Sequence, residues 1–94
     1  MNAKSTIVTQ NAAKLMRWTI GHFKPKVPAQ YDETNGSVEF QFGTCNMEAT
    51  ADELIVMIHA EDANSLTSMK NIVGRHIDKF GIKENIQVEW EDQS

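Results

Sequence analysis

The sequence predicts an α+β fold, an antiparallel β-sheet with two helices in the order β-α-β-β-β-β-α-β. Two segments repeat their apolar residues every three or four positions, as amphipathic helices do. Most of the remaining stretches alternate apolar and polar residues one by one, as strands with one wet face do. With 94 residues, 40% of them apolar, the chain suits a single domain over residues 1–94 with one core.

Thr6 and Val8 alternate with Ile7 in β-branched types, which predicts a short strand over Ser5 to Thr9. From about Gln10 to Phe23, the residues Ala12, Leu15, Met16, Thr19, Ile20 and Phe23 recur at helical spacing, with Thr9 or Asn11 available as N-cap. Lys24-Pro25-Lys26-Val27-Pro28 stops this helix, because proline lacks the N–H a helix needs. Val27, Ala29 and Tyr31 alternate next, and Asn35-Gly36 reads as a tight hairpin turn before Ser37. Val38, Phe40 and Phe42 take one face of the following strand, Glu39 and Gln41 the other, and Gly43-Thr44 reverses the chain. Cys45, Met47 and Ala49 then alternate with Asn46 and Glu48. The polar link Ala51-Asp52-Glu53 leads into a strand from Leu54 to Ala60, which completes a four-strand meander.

That strand has two apolar faces, Leu54, Val56 and Ile58 on one and Ile55 and Met57 on the other. Either helices cover both sides of the sheet, or Ile55 and Met57 meet a second subunit in a homodimer. Asp62 can cap the second helix, in which Leu66, Met69, Val73, Ile77 and Phe80 form one stripe. Phe80-Gly81 ends it, with Ile82 folding back on the last turn. Gly74 lies inside this helix at a cost of about 1 kcal/mol relative to alanine, which close packing against the sheet or the first helix would explain. Ile86, Val88 and Trp90 alternate with Gln87, Glu89 and Glu91 to predict a last strand.

Composition excludes several functions. The single cysteine, Cys45, permits no intrachain disulfide, which points to the cytoplasm. No apolar run approaches the roughly 20 residues that span a bilayer, so no membrane partner is expected. The net charge of −4 is unevenly spread: residues 1–30 hold Lys4, Lys14, Arg17, Lys24 and Lys26 and no acidic residue, and all 13 Asp and Glu lie beyond them. The element order resembles one half of the TATA-box-binding fold. The strands, however, carry Asp32, Glu33, Glu39, Glu48, Glu53, Glu89 and Glu91, which would repel phosphates, so no nucleic-acid partner is expected.

No catalytic or metal-binding spacing is present. A zinc site needs three or four converging ligands, whereas His22, His59, His76 and Cys45 are scattered; a convergence of His22, Cys45 and His76 has no support in their spacing. Cys45 alternates with Met47 and Ala49 on an inward face and reads as a buried thiol. The chain therefore reads as a non-enzyme without cofactor or catalytic residues, and a small enzyme using His22 as acid or base is the weakest alternative. The candidate ligand-binding residues are Arg17, Trp18, His22, Lys24 and Lys26. On a helix Trp18 and His22 are neighbours at i and i+4, and the lysines beyond add positive charge toward an anionic or aromatic ligand. Lysines near a helix C-terminus also complement its negative end, which explains Lys24 and Lys26 without a ligand.

Five stretches together resemble a bacterial family known as domain of unknown function 2218. They are T-x-N-A-x-K from Thr9 to Lys14, G-H-F-x-x-K-V-P from Gly21 to Pro28, Y-D-E-T-N-G-S-V-x-F from Tyr31, F-G-T-C-x-M-E-A from Phe42 to Ala49, and the run from His76 to Trp90. His22, Lys26 and Pro28 match the family pattern, and Trp18 and Thr19 depart from it. The resemblance attaches no reaction to the chain. Some members are joined to siderophore-interacting flavin reductases, which implies an accessory role in iron or siderophore metabolism beside a protein of that type.

Overall fold

A computed structural model describes residues 1–80, 86 and 88–93. The strands are β1 (Asn2–Val8), β2 (Ala29–Tyr31), β3 (Asn35–Phe40), β4 (Gly43–Ala49), β5 (Glu53–His59) and β6 (Glu91–Gln93). The helices are α1 (Ala12–Phe23) and α2 (Ala63–Phe80). All described strand pairs are antiparallel, in the order β2-β3-β4-β5-β1-β6. The predicted α+β class and meander are therefore present, with β1 inserted between β5 and β6.

Both helices lie on one face. The alternation in β1, β4 and β5 buries Ala3, Ser5, Ile7, Cys45, Met47, Ala49, Leu54, Val56 and Ile58 beneath them. The helices contribute Leu15, Met16, Thr19, Ile20 and Phe23 from α1 and Leu66, Met69, Val73 and Ile77 from α2, so the predicted stripes are buried except at Phe80, which is half-buried. Thr19 tolerates burial because its hydroxyl donates to the Leu15 carbonyl at 2.8 Å. Asp62 caps α2 as expected, its carboxylate accepting the Ser65 N–H at 2.7 Å, and this bond holds its pKa below the usual value. At α1 the Asn11 side chain makes no capping bond; the Thr9 hydroxyl accepts the Asn11 N–H at 3.1 Å.

Four local expectations are corrected. The β2–β3 turn lies at Glu33-Thr34, and Asn35-Gly36 opens β3. The Asp32 carboxylate accepts the N–H groups of Thr34 and Asn35 at 2.9 and 2.8 Å, and this side-chain turn takes the place of the Asn-Gly turn. Gly36 pairs with Tyr31 and Met47, and a methyl group there would collide with Ile20 Cδ1, so the glycine makes room for α1. The β3–β4 turn is Gln41-Phe42, two residues earlier than Gly43-Thr44, since Gly43 pairs with Phe40. The last strand is Glu91–Gln93 instead of Ile86–Trp90; Ile86, Val88 and Trp90 are half-buried against the core without joining a ladder. Gly81, Ile82 and Gln87 lie outside the described residues. A Cβ added at Gly74 would point at Trp90 Nε1 and Val88 Cγ1, 3.5 and 4.0 Å away, and not at the sheet or α1.

The Leu54–Ala60 stretch resolves in the same register. Leu54, Val56 and Ile58 are buried, Ile55 is half-buried and Met57 is exposed, with no described helix on their side. His59 shares that open face and bonds Asn2 through Nδ1 at 2.5 Å.

Candidate functional site

The C-terminal halves of α1 and α2 bring four rings together. On α1, Trp18 and His22 stand one turn apart on the edge of the apolar stripe, and Lys14 stands one turn before Trp18. On α2, His76 and Phe80 occupy the facing edge. The imidazoles of His22 and His76 meet with centroids 4.6 Å apart, and Phe80 lies 6.2 Å from both Trp18 and His22. Behind them His76 packs on Phe23 at 4.4 Å, Phe23 on Phe40 at 5.1 Å and Phe40 on Phe42 at 5.7 Å. A run of aromatic contacts thus links the ledge to the β3–β4 turn.

The ledge is open and basic. Trp18 is 48% exposed, and the Lys14 ammonium lies over its ring, 4.7 Å from the centroid. His22 is half-buried, and its pKa lies below 6.5, first through desolvation and then through His76, Lys26 and Lys79. Among the described residues no carboxylate is a cause of that shift. The only described ion pair is Lys70–Asp92, at 2.6 Å, so Lys14, Lys26 and Lys79 have no acidic partner among the described residues. His76 Nδ1 lies 2.7 Å from the Ile72 carbonyl, which can only accept, so Nδ1 carries a proton and Nε2 is the free ring edge.

Of the residues singled out in the sequence, Trp18, His22 and Lys26 gather here. Lys24 turns away and places its ammonium 5.3 Å from the Tyr31 ring centroid. Arg17 is exposed and joins none of these contacts. His76, Lys79 and Phe80 complete the group from α2. Cavities of about 410, 320, 300 and 400 Å³ are lined by other residues. No three or more His, Cys, Asp or Glu residues among those described are grouped to hold a metal.

The direction of the His22 shift makes a prediction. Because its folded pKa is depressed, the unfolded chain takes up the proton first; the stability this ring contributes is complete above pH 6.5 and is lost as pH falls below it. A proton NMR titration of the ring is expected to give a midpoint below 6.5, moving upward in Lys79→Ala. A midpoint at or above 6.5 contradicts the arrangement.

Comparison with known proteins gives a family and a fold. Residues 4–91 match the model of the family described as "Uncharacterized protein conserved in bacteria (DUF2218)". Among solved structures, the NMR structure of PA4090 from Pseudomonas aeruginosa is similar in fold. It has a TM-score of 0.79 and 22% identity over 96% of this chain and 94% of that one. A search of curated proteins finds no match. Among the described residues, no helix is long and apolar enough to cross a membrane.

Proposed function

The chain belongs to this family of uncharacterized bacterial proteins, so its role is read from its own residues, and we propose that it is a non-enzymatic binding module. Its ledge of Trp18, His22, His76 and Phe80 receives an anionic ligand with a flat apolar part. The carrying observation is the half-buried imidazole pair set among lysines that have no acidic partner among the described residues. Stability alone gains nothing from surrounding a titratable ring with like charge, and perturbed groups cluster at functional sites. An anion would relieve the repulsion while Trp18 and Phe80 stack on its flat part. Lysines that only complement the helix ends would not need the two imidazoles in contact.

Binding of an anion favours the protonated imidazole, so affinity should rise as pH falls through the His22 titration. Catecholate siderophores combine negative charge with aryl rings, and the reading extends to an accessory role in bacterial iron handling, in the cytoplasm, beside a siderophore-reductase-type protein. Native mass spectrometry of protein purified gently from its host, followed by titration with ferric catecholate siderophores and with 2,3-dihydroxybenzoate, tests it. The double change His22→Ala, Lys26→Ala should weaken binding by roughly 10- to 100-fold, the loss of one or two charge-assisted contacts, with circular dichroism unchanged. A ligand-free mass together with no saturable binding in either titration removes the proposal.

A further inference from the structure

We infer that the open face of the sheet is a docking surface for a basic amphipathic helix of another protein, a role independent of the ledge on the opposite side. The strand register places the residues. Met57 stands in one cross-strand row with Asn46, Lys4 and Glu91; Ile55 stands in the next with Glu48 and Thr6; Val8 lies opposite Glu53, and Glu39 opposite Thr44. Val8 is 78% and Met57 52% exposed, and with Ile55 they make an apolar centre where a solvated face would carry polar residues. Glu39, Glu48, Glu53 and Glu91 surround that centre, with Lys4 as the one cation of these rows, a formal charge of −3.

Charge and area select the occupant. A second copy docked face to face would set −3 against −3 around a small apolar contact, and nucleic acid or anionic lipid would meet the same repulsion. A helix whose apolar stripe covers Val8, Ile55 and Met57, with lysine or arginine on both flanks, satisfies centre and rim together. Helix on sheet is also the packing that the opposite face already uses. Six strands at about 4.8 Å spacing give a face roughly 24 Å across, wide enough for one helix of about 10 Å diameter. An interface of that size is weak, with a dissociation constant of roughly 10 to 100 µM.

The test uses the full chain, ¹⁵N-labelled, titrated with a synthetic helical Leu/Lys amphipathic peptide. Two control peptides replace its lysines by glutamate or its leucines by serine. Saturable shifts at the amides of Thr6, Val8, Ile55 and Met57, weakened by salt and absent with both controls, are the expected result. Glu48→Lys with Glu53→Lys should weaken binding at least tenfold, and Met57→Ser should weaken it without changing the salt dependence. Shifts confined to the helical side, equal binding of the Leu/Glu peptide, no saturable binding, or concentration-dependent self-association through Ile55 and Met57 would each overturn the inference. The last outcome would make a second copy the occupant.

Discussion

Gly43→Ala is expected to destabilise the protein by about 3 kcal/mol, lowering the melting temperature by roughly 12 to 24 °C for a domain of this size. Gly43 opens β4 opposite Phe40. A Cβ built there would collide with the main-chain carbonyl oxygen of His59 and lie 3.0 and 3.1 Å from Met69 Cγ and Sδ. Met69 is an adaptable side chain, but the carbonyl belongs to β5 and cannot move without parting the β4–β5 ladder. Gly21→Ala is the control: nothing lies within 4 Å of its added methyl, and inside α1 alanine should stabilise by about 0.5 to 1 kcal/mol. Thermal melts of both variants check the pair, and an unchanged Gly43→Ala melt would mean that the two strands do not approach as described.

The Cys45 thiol is expected to react with a disulfide reagent at least about 1000-fold more slowly in the native protein than in denaturant at pH 8. The side chain is fully buried, in register with Val38 and Ile58, and burial pushes its pKa from 9.0 up to about 12. The thiolate, which is the nucleophile, is thereby reduced by roughly that factor before access is counted. Because the folded value is raised, the stability linked to this group is complete below pH 9 and is lost as pH rises toward 12. Rapid, complete labelling of the native protein would contradict this placement and would reopen Cys45 as a chemical group.

Residue spacing made the core legible because burial follows period. Leu66, Met69, Val73 and Ile77 are buried, as their 3.6-residue stripe requires, and Cys45, Met47 and Ala49 are buried by alternation. Turns were less legible, since two signals competed between Tyr31 and Ser37. Asn35-Gly36 favours a turn by backbone conformation, whereas Asp32 offers a side-chain acceptor three residues earlier. The packing of Ile20 onto Gly36 accompanies the second choice. That contact joins residues far apart in sequence, which local pattern cannot weigh. The last strand shifted for a related reason: Val88 and Trp90 pack against the core, on the side of α2 where Gly74 lacks a side chain, and pairing with β1 begins only at Glu91.

The ledge was half legible. Trp18 and His22 share an edge of α1 through the i, i+4 relation, and Lys26 follows them directly. The partners on α2 depend on how the two helices lie side by side, so His76, Lys79 and Phe80 carried no joint signal. Lys24, two residues from both His22 and Lys26, pairs with the Tyr31 ring instead, a choice made by the entry of β2 into the sheet. Charge asymmetry in sequence likewise became geometry: lysines gather at the helix ends, and four glutamates ring the opposite face of the sheet.

The most direct measurement follows the Trp18 indole and the His22 and His76 rings by NMR while 2,3-dihydroxybenzoate is added to the intact protein. The ledge reading predicts saturable shifts at these three rings and at Phe80, with the His22 midpoint rising as the anion binds. Unmoved rings, or shifts gathered on the open sheet face around Met57, would contradict it.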